Sequence, residues 1–235
     1  MNFITYGDLK YNKSKERICK EASAFNIFDS IKAYGPEDLT DAFKNEFSHV
    51  LSQPRGGGYW IWKFDIIEQE LEKMNDGEYL VYADSGCTLN IRGKPRFLEY
   101  IQMLKESDKG IISFATGYNE TMFTTKEILE YFDADEDIKN SGQYIATVLI
   151  MKKCDHLRLL LEKIKEALRD DPKLFTDFYN KAQNPGFNDN RHDQSILSVA
   201  RKVHGSIVIP DETWFAPFGN QESLKCPIWA TRIRC

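Results

Sequence analysis

Twice in its first fifty residues the chain sets a short apolar run ahead of a helical stretch, and that alternation constrains the fold more than any other feature. "NFITY", residues 2 to 6, predicts a strand stopped by Gly7. "KSKERICKEASAF" predicts a helix with Ile18 and Ala22 on one face. "NIFDSIKAY" then predicts a second strand, and "PEDLTDAFKNEF" a helix with Pro36 in its first turn and Glu37 and Asp38 after it, where the helix dipole favours acids. Strand, helix, strand, helix is the order from which parallel sheets are built.

The alternation continues. "RGGGYWIWKFDIIEQELEKM" leads three glycines into a helix whose Trp60, Phe64, Ile67, Leu71 and Met74 recur at helical spacing. "YLVY" predicts a third strand. "FLEYIQMLKES" is helical, "GIISFAT" a strand, "TKEILEYF" a helix, "QYIATVLIMKK" one strand and "DHLRLLLEKIKEALRD" a long amphipathic helix. "RHDQSILSVARKVHG" is the last helix, with Gly205 as its stop, and "SIVIP" the last strand. No repeat or low-complexity linker interrupts the series, so the expectation is a single α/β domain, residues 1–235, with a mixed, mainly parallel sheet flanked by helices. Residues 210–235 read as an irregular arm.

Composition narrows the function classes. With 42% apolar and 13% aromatic residues the chain has ample material for a core, while a net charge of −5 disfavours a nucleic-acid partner held through its phosphates. No apolar stretch approaches the roughly 20 residues of a membrane span, and "MNFITYGDLK" lacks a basic lead before an apolar segment, so no transmembrane segment and a cytoplasmic location are expected. Cys19, Cys87, Cys154, Cys226 and Cys235 are scattered without a Cys-x-x-Cys pair, suggesting neither a zinc site nor a disulfide framework.

"YLVYADSGCTLN" holds the first chemical candidate. Its apolar run ends on Asp84, followed by Ser85 and Gly86, and in open sheets ligands gather outside the carboxyl ends of strands. Asp84 is either a turn former completed by Gly86 or a carboxylate presented to a ligand. "FDADED" has more acids, yet as a calcium loop it places Ile138 where glycine is needed and Tyr144 where a bidentate acid is needed, and reads as a solvated connection. "RGGGYW" is flexible enough to offer backbone N–H groups to an anion but matches no phosphate-loop pattern. Lys63, near the edge of the following apolar stripe, either snorkels or reaches a phosphate. His192, Asp193 and Gln194 open the last helix, where an acid also serves the dipole. Ser195 with these neighbours makes no hydrolase triad, because adjacent residues on one turn cannot align in series. His49, His156 and His204 form no zinc-spaced pair.

Taken together, "GGGYWIWK", "YLVYADSG", "SGQYIATVLIMKK" and "NRHDQSIL", in this order behind a strand-helix-strand half, resemble glycosyltransferases of the GT-A type, from about Phe3 to Trp229. The nearest likeness is to small enzymes of bacterial polysaccharide clusters and of large DNA viruses. The resemblance implies a Rossmann-like domain with a nucleotide-binding half at 1–90 and a donor-sugar and acceptor half at 91–209. It implies that Asp84 stands in the strand-tip acid motif, with Gly86 where a second acid is usual, and that Asp84 holds Mn²⁺ or Mg²⁺ against the donor diphosphate. Thr5, Tyr6 and Gly7 fall where such folds hold the nucleotide base, with Tyr6 available to stack. Lys63, Ser85 and His192 join the donor site, and Ala146 and Thr147 lie on the strand that lines the donor sugar. Asp193 and Gln194 match an Asp-Gln pair of retaining members, in which the acid orients the sugar and the amide faces the reacting carbon.

The function so implied is transfer of a sugar from a nucleotide diphosphate donor, a UDP-sugar first, to a glycan acceptor, of the retaining kind because no carboxylate base suggests itself for inversion. Trp214, Phe215 and Trp229 suit either the acceptor side or the core. A non-catalytic nucleotide-sugar or glycan-binding module of the same fold is the alternative. A sugar-phosphate nucleotidyltransferase is disfavoured by the single glycine of "GDLKYNKSK".

Overall fold

The structure is a computed structural model describing residues 1–234. Nine strands are described: β1 (Asn2–Tyr6), β2 (Ser30–Tyr34), β3 (Tyr79–Ala83), β4 (Thr88–Leu89), β5 (Ile112–Asn119), β6 (Gly142–Tyr144), β7 (Val148–Lys152), β8 (Ile207–Pro210) and β9 (Ile228–Trp229). The main sheet has the order β2-β1-β3-β7, with β1 parallel to both neighbours and β7 antiparallel to β3. A second sheet runs β6-β5-β8, and a bridge between Ile111 and Met151 ties it to the first. The fold is therefore α/β with a mixed main sheet, mostly parallel.

Period-two alternation divides the core between the two faces of the main sheet. Ile4, Leu80, Tyr82, Leu149 and Met151 pack on one side with Phe64, Ile67 and Leu71 of the Trp62–Lys73 helix. The Asp155–Asp170 and Asp193–His204 helices cover the same side through Leu160, Ile164, Ile196 and Val199. Phe3, Val81, Ala83, Val148 and Ile150 face the other way, onto Ile18 and Phe25 of the Asn12–Phe25 helix and Phe97 and Leu104 of the Lys94–Glu106 helix. Strands buried on both faces read as continuous apolar runs, which is why they were visible in the sequence.

Three segments differ from expectation. "QYIATVLIMKK" is not one strand: it breaks between Tyr144 and Val148 and serves both sheets. "PEDLTDAFKNEF" is a 3₁₀ turn at Pro36–Asp38 and a separate short helix at Asp41–Glu46, whose cap is the Thr40 hydroxyl. The arm is also less irregular than expected, since β9 pairs antiparallel with β4 and so lays the chain's last part beside the turn that follows β3. Cys19, Cys87, Cys154 and Cys226 are free thiols, and Cys235 lies outside the described residues. No described helix is long and apolar enough to cross a membrane.

Candidate functional site

β1 and β3 run parallel with Ile4 opposite Tyr82, so Tyr6 and Asp84 emerge at the same edge of the sheet. The Asp84 N–H bonds the Thr147 carbonyl at 2.9 Å, which carries the β3–β7 ladder one residue beyond the strand and fixes the direction of the carboxylate. Tyr82, two residues earlier and on the same face, donates its hydroxyl to Asp84 Oδ1 at 2.5 Å. Burial and then the Asp84 charge push that phenol well above its ordinary pKa, so it remains a donor. From the other side Arg17 donates to the Ser85 and Cys87 carbonyls at 2.9 and 2.7 Å, and Glu21 holds both Arg17 and the Leu89 N–H. The turn after β3 is thus clamped by the first helix, while the Asp84 side chain stays 37% exposed.

The glycine run has a different job from the one its flexibility suggested. Gly56, Gly57, Gly58, Tyr59 and Trp60 all have positive φ, a left-handed stretch that side chains other than glycine rarely enter. Amides from Gly57 to Ile61 bond nearby carbonyls, so they are committed internally. The run aims the Trp62–Lys73 helix so that Lys63 enters the sheet edge. There its ammonium, only 2% exposed, bonds Asp193 and, at 3.1 Å, the Ala146 carbonyl, and lies 3.8 Å from Asp84. Burial works against the Lys63 charge, but Asp193 and Asp84 outweigh it and its pKa is raised. Burial pushes Asp193 up to about 6 against the pull of Lys63, leaving an ion pair at neutral pH that mild acid discharges.

Gln194 completes the cluster. Its Oε1 accepts the Ala146 N–H at 3.3 Å and its Nε2 donates to Gln143 Oε1 at 2.7 Å, which sets the amide's orientation. Gln143 is in turn held by Glu120 and Thr124, and the buried Glu120 accepts from Ser198 and Lys202. Both backbone groups of Ala146 are therefore taken by side chains, from Gln194 and Lys63, at the point where the chain leaves β6 for β7.

Of the sequence candidates, the structure brings together Lys63, Asp84, Ser85, Gly86, Ala146, Thr147, Asp193 and Gln194. Gly7 ends β1 at the same sheet edge, its N–H bonded to the Tyr34 carbonyl. Thr5 is fully buried with an unpartnered hydroxyl. The Tyr6 ring is stacked on Trp62 at 3.6 Å, so one of the faces expected for a base is already covered. His192 is also packed away: its Nδ1 lies 3.0 Å from the Phe175 carbonyl, Tyr59 and Trp60 flank its ring, and burial lowers its pKa to about 4. Lys63 does not snorkel, since its charge is spent inside. Tyr82, Arg17 and Gln143 brace the cluster, as does Arg191, which donates to Gln143 Oε1 at 3.2 Å; the sequence reading singled out none of them, and only Tyr82, at period two from Asp84, carried a sequence signal.

The donor set does not match the divalent cation that the acid motif implies. Asp84 is the reachable carboxylate, Asp193 is engaged by Lys63, and Gly86 brings no side chain. A Cβ added at Gly86 would meet the Arg232 Cα at 3.2 Å, so a second acid here would press on the backbone beside it. Among the described residues no group of three His, Cys, Asp or Glu side chains is placed to hold a metal ion. One open carboxylate does not fit a cation that prefers six or more oxygens unless ligand and water supply nearly all of them. A separate groove of about 390 Å³, floored by Leu71, Leu157 and Leu161, shares no residue with this cluster.

No family model matches the sequence, and no curated protein matches it. Solved structures do. A glycosyltransferase involved in glycosylation of the major capsid of PBCV-1 superposes with a TM-score of 0.55 at 13% identity, over 97% of this chain and 91% of that one. Mouse xyloside xylosyltransferase 1 gives 0.50 at 11%, over 100% and 98%. The bifunctional glycosyltransferase WbbM gives 0.55 at 10%, over 97% of this chain and 45% of that one. The structural neighbours are glycosyltransferases of the GT-A type, and the fold of this chain is GT-A-like.

Proposed function

We propose that the chain is a glycosyltransferase that moves a sugar from a nucleotide diphosphate donor, a UDP-sugar first, to a glycan acceptor with retention at the reacting carbon. The observation that carries this reading is the convergence of Asp84, Lys63, Ala146, Asp193 and Gln194 at one sheet edge of a GT-A-like fold. The diphosphate lies by the turn after β3, and the sugar lies over the β6–β7 break. Asp193, kept ionised by Lys63, accepts a sugar hydroxyl through the oxygen that Lys63 leaves free. Gln194, its amide fixed by Ala146 and Gln143, turns carbonyl density toward the carbon that becomes oxocarbenium-like. As the bond from that carbon to the phosphate oxygen breaks, its electron pair leaves with the diphosphate. The acceptor hydroxyl adds on the same face and gives up its proton to the departing phosphate oxygen. A preorganised dipole of this kind stabilises charge without reorganising as the charge develops. Trp214, half exposed beside Arg232, suits a sugar face on the acceptor side.

A non-catalytic binding module is the second reading, favoured by the single open carboxylate. Release or transfer of labelled sugar from a panel of UDP-sugars distinguishes the two. The enzyme reading requires turnover that falls at least about a hundredfold in Asp84→Ala and Gln194→Ala, in the range seen on removing one group that stabilises transition-state charge. Donor binding without turnover across acceptors, metals and sugars would leave only the module.

A further inference from the structure

We propose that the positive charge meeting the donor diphosphate comes from two arginines of this chain, Arg232 and Arg191, and not from a divalent cation held by paired acids. The inference rests on the glycosyltransferase reading and starts from Gly86. Thr231 Oγ1 and the Ile233 N–H both bond the Gly86 carbonyl at 2.9 Å, and Thr231 also meets the Thr88 hydroxyl at 2.9 Å. The segment is thereby seated on the turn that follows Asp84, and the Arg232 backbone fills the space above Gly86. A second acid at residue 86 would press on this seated segment, which would have to give by a few tenths of an ångström.

What the segment brings is a guanidinium. Arg232 sits between the two residues bonded to Gly86, with φ at +55°, a conformation that a non-glycine residue adopts only when its surroundings impose it. Its side chain is exposed, its guanidinium lies 5.6 Å from the Trp214 ring centroid, and among the described residues it makes no ion pair. Arg191 stands just before the opening of the last helix. The Arg191 guanidinium lies over the Phe123 ring at 3.4 Å and donates at 3.2 Å to the same Gln143 oxygen that holds Gln194. Burial lowers the Arg191 pKa, Asp189 opposes that, and repulsion from Arg232 adds to the lowering. An exposed guanidinium laid against an aromatic ring, with no ion pair among the described residues, is free to meet an anion. Arg232 is anchored on the turn after Asp84 and Arg191 on the glutamine that holds Gln194, the places this reading gives to the diphosphate and the sugar, and guanidinium forks match phosphate oxygens in pairs.

The test is titration of the whole chain with uridine diphosphate and with uridine monophosphate, in EDTA and again in Mn²⁺. The expected result is diphosphate binding in EDTA that Mn²⁺ improves by less than about threefold. Arg232→Ala and Arg191→Ala should each weaken the diphosphate by about tenfold to a hundredfold, the range for a charge-assisted hydrogen bond, and the monophosphate far less. Arg232→Lys should recover part of the loss, and the midpoint of thermal unfolding of Arg232→Ala should stay within about 2 °C of the parent, as for a surface change. Gly86→Asp, whose Cβ presses on the Arg232 backbone, should weaken the diphosphate in the same direction as Arg232→Ala. Diphosphate binding that appears only with Mn²⁺, or is unchanged in Arg232→Ala, overturns the two-arginine proposal and leaves the glycosyltransferase reading standing. Binding of neither nucleotide under either condition removes both.

Discussion

Lys63→Met keeps the reach of the side chain and removes its charge, leaving the Asp193 carboxylate, 8% exposed, with no cation. A buried charge stripped of its partner costs about 3 to 5 kcal/mol if it stays ionised. Asp193 can escape that cost by taking a proton, and the pH dependence follows from the sign of its shift. In the parent protein its folded pKa is about 6 against an ordinary 3.8, so its ionisation weakens the fold as pH rises through that window and adds nothing above it. Without the ammonium the folded pKa moves higher and the window extends upward. The variant's deficit should therefore open above about pH 6 and grow by about 1.4 kcal/mol per pH unit until it reaches that 3 to 5 kcal/mol. Lys63 itself stays charged throughout, because its pKa is raised. Urea unfolding followed by circular dichroism at pH 6, 7 and 8 measures the deficit. Lys63→Met with Asp193→Asn should recover most of it, since both charges are then gone. A deficit below about 1 kcal/mol at pH 8, the level of an exposed pair, would refute the reasoning. So would a deficit flat from pH 6 to 8, or a double variant no more stable than the single one.

Glu120→Gln should cost about 3 to 5 kcal/mol in the same unfolding assay, because Lys202, 4% exposed, loses its counter-ion, and a midpoint shift within error would show the pair to be energetically idle. Gly58→Ala and Gly77→Ala separate crowding from backbone preference. Both glycines have positive φ, but an alanine Cβ meets the Leu51 Cα at 2.6 Å at residue 58 and nothing within 4 Å at residue 77. Gly77→Ala should cost about 1 to 2 kcal/mol and Gly58→Ala about 1 to 3 kcal/mol more, and equal losses would show that the Leu51 contact relaxes freely.

The parts of the site that could be read in the sequence are those that local pattern determines. The place of Asp84 at a strand tip was legible because buried strand residues deliver it and small residues follow it, and the place of Asp193 and Gln194 at a helix start because an amphipathic pattern follows them. The break in "QYIATVLIMKK" was not legible. Ile145, Ala146 and Val148 are buried like the strand residues around them, and what ends β6 is a pair of bonds to the Ala146 backbone from Gln194 and Lys63, groups 48 and 83 residues away. The seating of Arg232 on Gly86 was hidden for the same reason, since neither residue has a local pattern that points to the other. Tyr6 and His192 were plausible ligands by position, but Trp62, Tyr59 and Trp60 claimed their rings, and only the packed fold reveals which aromatic is already in use.

Lys63 is joined to Asp193 across 130 residues of chain and to Ala146 across 83. Closing loops of that length has an entropic cost before any contact is made, so this knot cannot be tied early by one fragment folding alone. The geometry of this cluster should therefore be lost together with the global fold, at the same midpoint in heat or denaturant.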